Sequence, residues 1–164
     1  MSASRRWVLG PGALTTTRPQ RQSEQPLNTA QAYGNERGVG EGIRTCGIGR
    51  EKLFVVSKVA AEHKSYDSAA KSIQETLAVM GLDYLDMMII HSPQPWAQWR
   101  GQNRYFEENR EVWRALEDAY GAGKLRAIGV SNFLCDDLES LLPHGKVRPT
   151  VNQVLRISEI CQRS

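Results

Sequence analysis

From Asn28 onward, short apolar runs alternate with helical patterns, the arrangement expected when each strand feeds a helix that returns along the sheet face. Four runs read as strands, 53–59, 84–91, 125–131 and 150–154, each rich in β-branched or other apolar residues. Between the first two, Tyr66, Ala70, Ile73, Leu77 and Met80 recur at helical spacing, with Ser65 or Asp67 placed to cap the start and Gly81 to end it. A second helix is predicted over 107–120. It has Val112, Leu116 and Ala119 on one face, Glu111/Arg114 and Arg114/Asp118 as solvent-side pairs, and Gly121 and Gly123 as its stop. A shorter helix over 136–142 closes at Pro143, and another over 36–46 is weakened by Gly38, Gly40 and Gly42. Residues 1–27 carry no sustained periodicity and a long polar run. They are expected to form an irregular arm, leaving 28–164 as the domain.

Successive right-handed units of this kind give an α/β fold with a parallel sheet, and their repetition is that of a (β/α)8 barrel. A complete barrel takes ~250 residues. With 164 residues the expected fold is a partial (β/α)8 TIM barrel in which strands 7 and 8 are missing.

Composition changes this picture little. The chain is 40% hydrophobic and 24% charged, with a net charge of +3 and basic residues scattered among acids. No basic stripe faces a phosphate backbone, so nucleic-acid binding is not expected. No apolar run approaches the ~20 residues that cross a bilayer, and the start Arg5-Arg6-Trp7-Val8-Leu9 is broken by Gly10, Pro11 and Gly12 before it reads as a signal. Cys46, Cys135 and Cys161 are odd in number and widely spaced, with no zinc-ligand pattern. Reduced structural thiols, no metal, no membrane and a cytoplasmic location are the expectation.

Parallel barrels place their chemistry at the C-terminal strand ends. Lys58 lies near the end of the first run, His91 ends the second, Ser131 and Asn132 end the third, and Asn152-Gln153 lie within the last. Asn28-Thr29-Ala30 leads into Tyr33. Taken singly, a strand-end lysine is a solvated edge residue and a lone histidine a satisfied structural one. On one rim together they make a candidate site. The stretches Gly38-Val39-Gly40-Glu41-Gly42 and Gly47-Ile48-Gly49 match neither GxGxxG nor GxxxxGK[ST], and read as helix-end and turn glycines.

These residues resemble a family. The segment Asn28-Thr29-Ala30-Gln31-Ala32-Tyr33-Gly34-Asn35-Glu36 is similar to the aldo-keto reductase signature DTAxxYGNE in all but its first position. Val55-Val56-Ser57-Lys58 resembles the family's catalytic-lysine strand. Gly81-Leu82-Asp83-Tyr84-Leu85-Asp86 and Ile89-Ile90-His91-Ser92-Pro93 resemble its GLDYxD and IHxP segments. Gly129-Val130-Ser131-Asn132-Phe133 and Asn152-Gln153-Val154 resemble GxSNF and NQV, so that the likeness covers 28–154, and the bacterial diketogluconate-reductase-like members are similar.

The resemblance implies an NADP-dependent oxidoreductase that reduces an aldehyde or ketone, the small-molecule carbonyl partner, with NADPH as hydride source. Tyr33 is implied as general acid. An unperturbed phenol titrates near ~10, and Lys58 is implied as the cation that makes its proton transfer practical. His91 is implied to orient the substrate carbonyl, Thr29, Ser131, Asn132 and Gln153 to hold the cofactor, and Trp96 to line the substrate pocket.

Asn28 departs from the pattern, standing where the family carries the catalytic aspartate that pairs with the lysine. Two rival readings follow. A strand-end lysine can form a Schiff base as in class I aldolases, a reading that the Tyr33 and His91 context opposes. The other is a truncated, catalytically inactive fragment that cannot hold cofactor, whose open barrel edges invite self-association.

Overall fold

The computed structural model describes residues 8–10, 13–15 and 25–154. An antiparallel hairpin, β1 (Val8–Gly10) and β2 (Ala13–Thr15), forms a sheet of its own. It falls where the sequence predicted an irregular arm. Then come β3 (Gln25–Asn28), α1 (Glu36–Thr45), β4 (Leu53–Val59), α2 (Tyr66–Met80), β5 (Met87–Ile90), α3 (Phe106–Gly121), β6 (Ile128–Ser131), α4 (Cys135–Leu141) and β7 (Asn152–Gln153). The strands β3 to β7 form one five-stranded sheet in chain order, every neighbouring pair parallel. This is the curled part-barrel that the alternation predicted. One boundary moves: Gln25–Leu27 pair with Leu53–Val55 and belong to the sheet, where Pro26 and the polar flank had disguised them as arm. The other residues of 1–24 lie outside the described ones.

Three strands, β5, β6 and β7, are shorter than their apolar runs. In the run 84–91, Leu85 makes only an isolated bridge to Leu125, and the ladders begin at Met87 on the β4 side and at Met88 on the β6 side. Asp86 is the reason. Its carboxylate accepts the Val55 N–H at 2.9 Å and pairs with Arg50 at 2.7 Å and Arg126 at 3.2 Å, so it occupies the place of a ladder residue. Both guanidinium groups also stand over the Tyr84 ring, at 4.1 and 3.8 Å from its centre. This clip, centred on buried Asp86, ties three elements together at the N-terminal rim, opposite the candidate site.

The helices form as the patterns predicted. Ser65 caps α2, its hydroxyl accepting the Ser68 N–H at 3.3 Å, and Gly81 ends it in the left-handed region at φ 65°. On α3 the Glu111–Arg114 pair is present at 2.8 Å, but Arg114 does not reach Asp118. Asp118 instead accepts the Tyr66 hydroxyl at 2.7 Å, and Arg114 stacks over the Tyr66 ring, which joins α3 to α2.

Parallel register decides which side chains share a face. Asn28 pairs with Val56, Lys58 with Ile89, Ile89 with Gly129, and Ser131 with Gln153. With a period of two, Asn28, Val56, Lys58, Ile89, Gly129, Ser131, Val151 and Gln153 all project to one side of the sheet. The other side, with Val55, Met88, Ile90 and Val130, packs with Ile73, Leu77, Val112 and Leu116 of the helices into the main core. Gly129 is needed in the first set, since a methyl group there would lie 2.6 Å from Val151 Cγ1.

The glycines of 36–46 lie inside α1 rather than at its end. Gly40 is buried against α2, where an added methyl would fall 2.7 Å from Met80 Cα and onto the Met80 carbonyl, whereas Gly42 has open space around it. Gly40→Ala is therefore expected to destabilise by ~1–3 kcal/mol through overpacking, despite alanine's better helix propensity. Gly42→Ala is expected to stabilise by up to ~1 kcal/mol. Urea unfolding of both variants checks the pair of opposite signs.

Candidate functional site

At the C-terminal ends of the strands, the shared face brings Asn28, Lys58, Ser131 and Gln153 into a row, with His91 immediately after β5. Tyr33 ends a 3-10 turn over Gln31–Tyr33, released by Gly34 at φ 65°. Gln31 anchors that turn. Its Oε1 accepts the Ala60 N–H at 2.8 Å, and its amide nitrogen donates to the Ser72 carbonyl at 3.1 Å and the Thr76 hydroxyl at 3.0 Å. The turn bearing Tyr33 is thus fixed to the exit of β4 and to the flank of α2. Glu36, buried beneath it, accepts from the Ser57 hydroxyl at 2.5 Å and from Thr76 at 3.2 Å.

Lys58 is 2% exposed and donates to Asn28 Oδ1 at 2.9 Å and to the Thr29 carbonyl at 3.0 Å. Both partners are neutral. Burial, with no carboxylate to offset it, lowers the Lys58 ammonium from 10.5 to about 8. Its Nζ lies 5.0 Å from the centre of the Tyr33 ring. His91 meets that ring edge to face at 5.7 Å and is 8% exposed. Its pKa falls from 6.5 to about 4, first by burial and then by the charge on Lys58, against an opposing pull from Glu62. His91 is therefore a neutral imidazole across the physiological range. Its Nδ1 is buried without a partner, so the tautomer with the proton on Nε2 leaves only an acceptor unsatisfied there.

Trp96 meets His91 edge to face at 5.1 Å and Trp99 at a 45° tilt at 5.6 Å, so that the three rings form a continuous aromatic row. Its loop is held from within. Gln94, buried, donates to the Gly101 carbonyl at 2.9 Å and the Asn103 carbonyl at 2.6 Å, and accepts the Arg100 N–H at 3.0 Å. Lys64 donates to the Ser92 and Pro93 carbonyls at 3.3 and 3.1 Å and to Asn109 Oδ1 at 2.9 Å, its own pKa lowered to about 8 mainly by burial. Glu62 accepts the Trp96 N–H at 3.3 Å. Sequence reading missed Gln94, Lys64, Glu62 and Trp99. No periodicity marks them, because they act through loop geometry; only the prolines flanking Gln94 hint at a shaped turn.

On the other flank, the Ser131 hydroxyl donates to the Gln153 carbonyl at 2.7 Å. The Asn132 amide donates to the His91 carbonyl and to Ser131 Oγ, both at 3.0 Å. These bonds hold Asn132 in the left-handed region at φ 61°, a conformation asparagine tolerates better than most residues. Among the described residues, the Asn132 side-chain oxygen and the Gln153 side-chain amide have no protein partner. The Thr29 hydroxyl donates to Asn35 Oδ1 at 2.6 Å, and its carbonyl accepts from Lys58 at 3.0 Å.

Comparison with known proteins places this geometry. The Aldo/keto reductase family model matches residues 24–156. Glyoxal reductase of Bacillus subtilis (strain 168) is 44% identical over 128 residues, which are 78% of this chain and 42% of that protein. An aldo/keto reductase from Brucella melitensis superposes with a TM-score of 0.71 at 36% identity, over 79% of this chain and 47% of that one. A Bombyx mori aldo-keto reductase in complex with NADP gives 0.66 at 32% identity, over 79% of this chain and 43% of its own. The chain spans less than half the length of each.

The His91 pKa carries a pH dependence. Between about 4 and 6.5 the unfolded state binds a proton that folded His91 refuses, so the contribution to stability is complete above 6.5 and is lost as the pH falls toward 4. His91→Gln is expected to flatten the thermal-unfolding profile in that window. In the unsubstituted protein, the His91 ring resonances should titrate near 4, and Lys58→Met should move that midpoint upward. A midpoint at the ordinary histidine value would contradict the burial and charge assigned here.

Proposed function

Because the chain belongs to the aldo/keto reductase family, we propose that its rim catalyses reduction of an aldehyde or ketone to an alcohol. The observation that carries this reading is the convergence of Tyr33, Lys58 and neutral His91 on one rim, with the Lys58 ammonium 5.0 Å from the centre of the Tyr33 ring. In this reading the Tyr33 hydroxyl gives a proton to the carbonyl oxygen, and positive Lys58 stabilises the phenolate left behind. His91, protonated on Nε2, donates a hydrogen bond to the same oxygen and orients it. Trp96 and Trp99 form the apolar wall against which the carbonyl substrate lies.

NADPH, when bound, supplies the hydride. The donor set suits its nicotinamide carboxamide: Ser131 Oγ, the free Asn132 oxygen and the free Gln153 amide offer both acceptors and donors on the flank facing Lys58 and His91. The Bombyx mori relative bound to NADP supports this choice of cofactor. A cytoplasmic location accords with the exposed free thiols of Cys46 and Cys135, which suit a reducing compartment. Among the described residues no helix is long and apolar enough to cross a membrane. Self-association belongs to the same reading, since β3 ends the sheet and, among the described residues, has no ladder partner on its outer edge to keep a second chain away.

The test is NADPH oxidation with a reactive aldehyde. Tyr33→Phe is expected to lose ~10²–10⁴ of the rate. Asn28→Asp, by giving Lys58 a carboxylate partner and keeping it charged, is expected to raise it. Equal inactivity of all three proteins, with NADPH failing to bind by nicotinamide fluorescence, would favour the inactive-fragment reading instead.

A further inference from the structure

We propose that Lys58 is also a carbonyl-trapping amine, which captures small aldehydes as an imine at the exit of β4 because Asn28 and Thr29 offer it two neutral acceptors and no carboxylate. The geometry sets this lysine apart. A neutral amine has two N–H donors and a lone pair, and Asn28 Oδ1 at 2.9 Å and the Thr29 carbonyl at 3.0 Å satisfy those two donors. An ammonium has a third N–H, for which the described residues provide no oxygen or nitrogen acceptor, only the face of the Tyr33 ring with its centre 5.0 Å away. Among the described residues the fourth tetrahedral position on Nζ thus has no oxygen or nitrogen partner; the atom lies 5.0 Å from the ring centre of Tyr33, a residue 56% exposed on the turn that covers Lys58.

Lys64 is the internal contrast. It too is largely buried and has its pKa lowered to about 8, but the Ser92 and Pro93 carbonyls and Asn109 Oδ1 take all three of its N–H groups, as an ammonium requires. The titratable groups facing Lys58 are Tyr33 and His91, with Glu62 beyond His91, and none places a carboxylate on Nζ. The lowered Lys58 pKa adds a sizeable free-base fraction near neutrality.

The step balances without a redox partner. The Nζ lone pair forms a bond to the carbonyl carbon, and the carbonyl π pair moves to oxygen, which takes a proton from the Tyr33 hydroxyl. Nitrogen gives up two protons in all, one regenerating Tyr33 and one completing the water that leaves as the C–O bond breaks. The product is an imine and one water. This capture needs no nicotinamide, so it stands or falls separately from hydride transfer.

The experiment incubates the folded chain with propanal and sodium cyanoborohydride at about pH 7.5, without NADPH, and maps the alkylated lysines by peptide mass. At that pH an amine titrating near 8 is ~10²-fold richer in free base than one at 10.5. Lys58 is therefore expected to alkylate at least ~10-fold faster than Lys71, which is exposed and pairs only at the surface with Glu75. It should also outpace Lys64. An unmodified Lys58 beside an alkylated Lys71 overturns the proposal, and so does equal labelling of Lys58 and Lys64, which would mean that acidity alone governs reactivity. Asn28→Asp should suppress Lys58 labelling ~10-fold or more while leaving Lys71 unchanged. Unchanged Lys58 labelling in that variant, with circular dichroism showing the fold intact, overturns the role given to Asn28. If the variant fails to fold, the three-lysine comparison in the unsubstituted chain decides. Trapping without any NADPH oxidation supports the amine and removes the reductase reading, and oxidation without trapping does the reverse.

Discussion

Everything in the candidate site rests on the parallel ladder running from β3 to β7. Parallel neighbours cannot be joined by tight turns, so each strand must exit over one rim and return through a helix or a long connection. That puts Asn28, Lys58, His91, Ser131 and Gln153 on the same rim although they span most of the chain. The period of two then selects the face. Lys58 pairs with Ile89 and Ser131 with Gln153, so a slip of one residue between β4 and β5 would carry Lys58 to the helix side and bury an ammonium among Val55, Ile73 and Leu77. Asp86 opposes that slip, because its carboxylate is held at once by the Val55 N–H and by Arg50 and Arg126.

Within this frame the site collects buried polarity and little fixed charge. Lys58 and Lys64 are solvated by carbonyls and amide oxygens, and His91 is kept neutral by burial and by its cationic neighbour. A carboxylate in place of Asn28 would invert this balance. It would hold Lys58 charged and leave the lysine no lone pair to offer. The amide and carboxylate have nearly the same shape, so the backbone around Asn28 has no need to differ while the chemistry of the rim does.

Much of this was legible in the sequence, for a physical reason. The strands and helices announce themselves because burial imposes a period: Tyr66 to Met80 repeats at helical spacing between Ser65 and Gly81, and those two residues do cap α2. The site residues were legible because they sit at strand ends, where periodicity stops and a polar residue stands out. What escaped lies in loops and pairings. Gln25–Leu27 could be recognised only through their partner strand, Asp118 was claimed by Tyr66 from another helix, and Gly40 shows its purpose only against Met80. Gln94, Lys64 and Glu62 shape the Trp96 loop through carbonyls and N–H groups, which leave no side-chain signature in the sequence.

The burial of the candidate-site groups also has a separate origin from the burial of the core. On the face that carries Lys58, the deeper residues Phe54 and Val56 are only partly covered, whereas Lys58 itself is 2% exposed. Helices do not cover it, since they pack on the other face against Val55 and Val59. The cover comes from above, from the turn bearing Tyr33 and the strand end at Asn28 and Thr29. Desolvation of Lys58 is therefore a property of the connecting segments, which can move without disturbing the helix-packed core. The pKa of the lysine, and with it the balance between its ammonium and its amine form, is set by how tightly the Gln31 anchor holds that turn to Ala60, Ser72 and Thr76.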